Sequence, residues 1–282
     1  MKALLVCFLL VVPFMDCSRS TDLLPGQAPA PLPAVERLVP QVLSARPHDK
    51  TAFTEGLLLH DGSLYESTGL YGQSTLRQVD PQTGKVLRQA SLPRTYFGEG
   101  LALQGNRLVQ LTWHEQVAFI YDLKTFATIG SFPYSGEGWG LCFDGAQFFQ
   151  TDGSATIWVR DAATFQVARQ LSISLDSQPV TNLNELECVN DSLYVNVWHT
   201  NNILRIDKRS GQVTAQIDAA GLLTPEETAA AGTEGVLNGI AYDADHGTFL
   251  ITGKLWPWLF EVRFIPRTPT LVVGAPRSAD LS

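Results

Sequence analysis

Helical periodicity is almost missing from the 282 residues of this chain, which leaves strands and turns as its building material. Cations are in the minority: 20 Lys and Arg against 28 Asp and Glu give a formal charge of -8. Without clustered basic residues a nucleic-acid surface is excluded. The five histidines are scattered without metal-ligand spacing. No Gly-x-Ser-x-Gly elbow is present for a serine hydrolase, and no glycine loop is placed to cradle phosphate. Cysteine is scarce as well, with four in all. Beyond the N-terminal leader only Cys142 and Cys188 remain, without the paired spacing of a metal site; a disulfide between them and two buried thiols stand as equal readings.

The N-terminal apolar run, from Ala3 to Met15, follows one lysine and is too short to span a bilayer, but it suits the apolar region of an export signal. Residues 1–20 are therefore read as a signal peptide, and the protein as exported, to a periplasm or outside the cell. Cys17 leaves lipoprotein anchoring as the route by which the chain would meet a membrane. Residues 21–35 contain Pro25, Pro29, Pro31 and Pro33 and read as an extended linker. Residues 36–265 form the folded domain, and 266–282 a flexible tail.

What the chain does have is aromatic and apolar residues in quantity: 45% hydrophobic, with 6 Trp, 7 Tyr and 14 Phe, enough for a large core. Strand-like runs are split by turn signals such as Asp61-Gly62, Gly105-Asn106, Asp144-Gly145 and Ser210-Gly211. One short helix is expected after Thr224, which serves as N-cap with Pro225 in the first turn and Glu227 completing a capping box, ending near Gly232.

The strand runs are self-similar. Glu55-Gly56-Leu57, Glu99-Gly100-Leu101, Trp139-Gly140-Leu141, Glu185-Leu186 and Asn238-Gly239-Ile240 open units that recur roughly every 45 residues. Later in the units comes a strand ending in Asp80, Asp122, Asp161 or Asp207 before a polar turn. Units of this length suit four-stranded blades, so the expected fold is all-β, a five-bladed β-propeller with one short inserted helix. Arg37 to Leu43 would add a strand beside Leu259 to Phe264 and close the ring. Equivalent strand starts then converge at one mouth of the channel, which predicts a pocket holding Glu55, Glu99, Trp139, Glu185 or its neighbour Asn184, and Asn238. Phe53, Phe97, Trp113, Trp198 and Lys254 follow this column at short distance.

Several ordered motifs carry a resemblance. They are His48-Asp49 with Ala52-Phe53-Thr54-Glu55-Gly56-Leu57, Phe97-Gly98-Glu99-Gly100-Leu101, Leu111-Thr112-Trp113, Gly136-Glu137-Gly138-Trp139-Gly140-Leu141, Asn184-Glu185-Leu186-Glu187, Val195-Asn196-Val197-Trp198, Leu237-Asn238-Gly239-Ile240-Ala241 and Thr252-Gly253-Lys254. Over residues 36 to 265 the chain resembles the plant-type glutaminyl-peptide cyclotransferases, which also occur in bacteria. The resemblance implies a propeller that converts the N-terminal glutamine of peptides or proteins to pyroglutamate and releases ammonia. It implies no cofactor for catalysis, unlike the zinc-dependent animal enzymes; a structural calcium-like ion on the channel axis stays open, and a monomer is expected. By motif position Glu99 matches the catalytic acid/base, while Phe53, Glu55, Phe97, Trp113, Trp139, Asn184, Trp198 and Lys254 match substrate-binding positions. At Glu55 glutamine is expected in some members.

The chemistry suits these residue types. An amine must lose a proton, attack its own γ-amide carbon, and see the leaving nitrogen protonated, which one carboxyl can serve. An aromatic cage holds the folded-back side chain in a reactive pose, and Asn184 or Lys254 would donate to the developing oxyanion. Two other readings use the same pocket: a propeller that only binds a peptide or glycan, and a lactonase-like hydrolase whose metal would be held by Glu55, Glu99, Asn184 and Asn238.

Overall fold

The computed structural model describes residues 34–267; the expected signal peptide, most of the linker and most of the C-terminal tail lie outside the described residues. Strand β1 (Glu36–Pro47) leads into a four-stranded antiparallel sheet of β2 (Thr54–His60), β3 (Ser63–Thr68), β4 (Thr75–Val79) and β5 (Val86–Ser91). A second four-stranded sheet holds β6 (Gly98–Gln104), β7 (Arg107–Thr112), β8 (Val117–Asp122) and β9 (Thr128–Pro133). A third holds β10 (Leu141–Phe143), β11 (Gln147–Gln150), β12 (Thr156–Asp161) and β13 (Val167–Ser172), followed by a ribbon of β14 (Ser174–Leu175) and β15 (Gln178–Pro179). The remaining elements are β16 (Leu183–Val189), β17 (Ser192–Val197), β18 (Asn202–Asp207), β19 (Val213–Asp218), helix α1 (Pro225–Ala231), β20 (Leu237–Asp243), β21 (Thr248–Gly253) and β22 (Trp258–Pro266).

These last strands correct the expected fold. β1 pairs antiparallel with β22, as its sequence suggests, but its other edge is not left free: Glu36, Arg37 and Leu38 pair in parallel with Ala215, Gln216 and Ile217 of β19. One strand satisfying two edges fuses the fourth and fifth units into a single eight-stranded sheet, ordered β16-β17-β18-β19-β1-β22-β21-β20. Its end strands β16 and β20 lie against each other, so the sheet curls until it nearly closes. The described residues thus form three four-stranded sheets, a ribbon and one near-closed eight-stranded sheet, and not a five-bladed β-propeller.

Local chemistry explains the repeat. Asp61 and Gly62 take positive φ of 47° and 70°, the left-handed pair a tight hairpin needs. Asp80, Asp122, Asp161 and Asp207 each accept a backbone N–H from the turn that follows, from Gln82, Thr125, Thr164 and Ser210, closing the chain without a partner strand. The glycine of the Glu-Gly-Leu unit is a packing requirement. A Cβ on Gly100 would lie 2.4 Å from Leu141 N, and one on Gly140 2.4 Å from Asn184 O, so only glycine lets the first strand of one unit approach the backbone of the next. The first strands follow one another in this way, β2 against β6, β6 against β10, β10 against β16, β16 against β20 and β20 back against β2.

The helix is as its sequence indicates. Thr224 Oγ1 accepts from Glu227 N and Glu227 Oε2 accepts from Thr224 N, while Glu227 Oε1 also accepts from Trp258 Nε1 at 2.6 Å, tying α1 to β22. Cys142 on β10 and Cys188 on β16 form a disulfide, which settles the open pairing and links the third sheet to the eight-stranded one.

Several buried ionisable groups hold the interior together and make stability depend on pH. His48 Nε2 lies 3.0 Å from Glu66 Oε1 and Nδ1 lies 2.8 Å from Trp256 O. Both ring nitrogens face acceptors, so both carry protons. Burial opposes that charge, but Glu66 outweighs it and raises the His48 pKa. Glu187 is pushed up to about 8 by burial, against the N–H donors of Tyr242 and Cys188. In both cases the folded chain retains a proton that the unfolded chain releases, so stability is fullest at low pH and declines as pH rises through the folded pKa. A melting series from pH 5 to pH 9 is expected to show falling midpoints; Glu187→Gln is expected to flatten it, and a flat wild-type series would contradict the assignment.

Candidate functional site

The antiparallel hairpins place the start of each first strand beside the end of each second strand: Thr54 pairs with Thr68, Gly98 with Thr112, Leu183 with Val197, and Leu237 with Gly253. All four pairings are followed by a register shift. Such bulges leave residues outside the ladder and turn their side chains off the sheet. Glu55, Glu99, Asn184 and Asn238 sit in these shifts. Just past the second strands, left-handed backbone at Leu70, His199 and Leu255 redirects the chain next to Leu70, Trp198 and Lys254.

The product is one cavity of about 380 Å³, lined by Phe53, Glu55, Phe97, Glu99, Trp113, Trp139, Asn184, Trp198 and Lys254, together with Leu70 and Glu234. Every catalytic and substrate-binding candidate named by motif position lines it. Of the remaining column members, Glu185 turns away and accepts from Ile240 N at 2.8 Å and Leu57 N at 3.4 Å. Asn238 stands behind Glu55, giving Nδ2 to Thr54 O at 2.9 Å and to Glu55 Oε2 at 3.2 Å. Leu70 and Glu234 belong to no repeated motif. Leu70 is betrayed only by its φ of 84°, a strained value for a branched residue of the kind that gathers at sites.

Aromatic faces make most of the wall. Phe97 meets Phe53, Trp113 and Tyr71 at centroid distances of 6.2, 5.5 and 5.4 Å, and Trp139 meets Trp198 edge to face at 5.4 Å. The polar groups are few. Lys254 Nζ lies 2.7 Å from Glu55 Oε1 and 4.6 Å from the Phe53 ring centre. The Lys254 ammonium thus already pairs with the Glu55 carboxylate that the hydrolase reading would use as a metal ligand. Among the described residues no group of three or more His, Cys, Asp or Glu converges as a metal site.

Glu55 and Glu99 are both buried in the wall of the cavity. Burial raises both carboxyls. At Glu55 Lys254 opposes the rise, whereas the Glu55 charge pushes Glu99 higher, with Glu115 and Glu137 adding to it. Of the two, Glu99 is the more strongly raised, and Glu55 is the one held against Lys254. Two polar atoms of the cavity residues, Asn184 Oδ1 and Trp198 Nε1, are buried and make no hydrogen bond among the described residues. Such groups are costly unless something else binds them.

A buried pair of carboxyls, one of them held by a lysine, lies in a cavity walled by aromatic rings, an arrangement suited to moving protons on a small substrate. A family model described as glutamine cyclotransferase matches residues 15–264. A glutaminyl-peptide cyclotransferase of Arabidopsis thaliana is 40% identical over 231 residues, spanning 79% of this chain and 70% of the relative. The crystal structure of Myxococcus xanthus glutaminyl cyclase superposes with a TM-score of 0.75 at 37% identity, over 83% of this chain and 100% of that one. With motifs, matched span and site in agreement, the chain belongs to the glutamine cyclotransferase family.

Proposed function

We infer that Glu99 is the acid and base of this chain's reaction, which is that of its family. The chain is a glutaminyl-peptide cyclotransferase: it closes an N-terminal glutamine to pyroglutamate and releases ammonia. The observation that carries the Glu99 assignment is its place: a carboxyl buried in the cavity wall with Glu55, whose own carboxylate is held by Lys254. Burial raises both carboxyls, Glu99 the further, and Lys254 opposes the rise at Glu55.

The step balances on those groups. The substrate's α-amine attacks its own side-chain amide carbon, forming the ring C–N bond and moving charge onto the amide oxygen. The proton lost by the amine passes to the carboxylate pair. Glu99 delivers a proton to the amide nitrogen, the old C–N bond breaks, ammonia leaves, and the pair ends with the proton it began with. The donor assigned to the amide oxygen is the side-chain amide of Asn184, through its Nδ2, in place of Lys254, whose ammonium is already engaged by Glu55. The aromatic wall holds the glutamine folded back on itself, which for an intramolecular attack is the larger share of the task.

No step in this reading uses a metal. The substrates are peptides or proteins with N-terminal glutamine, and export of the chain is supported by the Cys142–Cys188 disulfide, a bond that persists in oxidising compartments. The test is ammonia release from a short glutaminyl peptide with and without a chelator. Release that resists chelation is expected, and release abolished by chelator and restored by a divalent ion would overturn the metal-free step.

A further inference from the structure

The two indoles on one side of the cavity share an acceptor that lies outside its lining. Glu137 Oε2 accepts from Trp113 Nε1 at 2.8 Å and from Trp139 Nε1 at 2.9 Å. The same carboxylate has its other oxygen 3.5 Å from His114 Nδ1, and the His114 ring stacks on Trp113 at 3.8 Å. The backbone under Glu137 is fixed as well. Its carbonyl accepts from Gln150 Nε2 at 2.9 Å, Gln150 Oε1 accepts from the buried Arg160 at 2.5 Å, and Gly138 N donates to Trp113 O at 3.0 Å. Gly138 has no room to change, since a Cβ there would lie 2.7 Å from Thr112 O.

We propose that Glu137 is a positioning residue for the cyclisation: a latch that holds Trp113 and Trp139 in the orientation the folded-back glutamine requires. The proposal rests on the cyclotransferase reading and deepens it. A carboxylate has lone pairs enough for two N–H donors, and charged acceptors make the stronger hydrogen bonds. Each indole could otherwise rotate about its side-chain bonds, and small misplacements of a binding wall are costly when catalysis depends on pose. The latch also takes the N–H of Trp113 and Trp139 out of competition for the substrate's amide oxygen.

Glu137 is half-exposed at the mouth, so a steering role for its charge is the competing explanation, and the neutral isostere separates the two. Glu137→Gln keeps an acceptor oxygen and removes the charge; Glu137→Ala removes both. The expected result for Glu137→Ala is a fall of about 10- to 100-fold in kcat with a smaller change in KM, and Glu137→Gln recovering most of it. In a nitrogen–proton correlation spectrum of the full chain, the indole N–H signals of Trp113 and Trp139 are expected to move in Glu137→Ala while that of Trp198 stays. Indole signals that do not move, or a Gln variant as impaired as Ala with the loss in KM and sensitive to salt, would overturn the latch. Because the spectra need no turnover, they test it even if the wild-type chain released no ammonia, an outcome that would sink the cyclotransferase reading instead.

Discussion

Replacing Glu99 by glutamine is expected to lower kcat by about 10²- to 10⁴-fold, the usual range for a positioned acid or base, with KM for a glutaminyl peptide nearly unchanged. The amide has the shape of the neutral carboxyl it replaces, and the neutral form is the one that burial and the Glu55 charge favour at Glu99. The variant should therefore fold as well as the wild type, with an equal or higher melting temperature, because no buried charge is exposed or left unpaired. That separates loss of proton transfer from loss of structure. Residual rate would reflect the cage alone, through the pose it imposes on an intramolecular attack. Turnover near the wild-type value, measured as ammonia release, would remove Glu99 from the mechanism and leave Glu55 as the group to examine.

Much of this site was legible because it is built from a repeat. The Glu-Gly-Leu units mark first strands, the glycine is demanded by the neighbouring backbone, and the bulge beside it turns the preceding side chain off the sheet. Residues at equivalent bulges then reach one cavity, which is why Glu55, Glu99 and Asn184 could be named together. The column left Glu185 and Asn184 open, and the bulge on β16 presents Asn184 to the cavity and directs the Glu185 carboxylate to the N–H groups of Ile240 and Leu57; it overreached at Asn238, which stands behind Glu55. A column of aligned residues does not say which of two neighbours faces inward. Leu70 and Glu234 were out of reach because they come from connecting segments with no counterpart in the other units.

The fold was legible in its strands and not in how they join. The pairing of β1 with β22 follows from the apolar run at Arg37 to Leu43, but the parallel contact of Glu36, Arg37 and Leu38 with β19 carries no pattern of its own. Parallel ladders are read from three-dimensional neighbourhood, whereas hairpins are announced by their turns. Three residues of pairing therefore separated five expected blades from three sheets and a near-closed eight-stranded one. The capped helix, by contrast, was announced by a handful of residues around Thr224, each with a local partner within a turn.

Lys254→Met is the second change with a large expected effect, because the ammonium is what lets Glu55 stay charged in a buried site. Its removal leaves a carboxylate beside Glu99 with only Asn238 Nδ2 as a side-chain donor. Breaking a buried pair from one side costs about 3–5 kcal/mol. The chain can reduce that cost by protonating Glu55, so the destabilisation is expected to be small at pH 5 and to grow as pH rises, steeper than in the wild type. Protonation also leaves the pair unable to take up the amine's proton, since both members are then neutral. Activity at neutral pH should fall, and recover in part at alkaline pH where Glu55 ionises at the expense of stability. The double variant Lys254→Met/Glu55→Gln carries neither charge, so it should melt higher than Lys254→Met alone and lose the added pH dependence. If the single variant matched the wild type in melting and in pH profile, Lys254 would not be the group that decides where the proton of the pair resides. If the single and double variants melted alike, Glu55 would not carry the charge assigned to it.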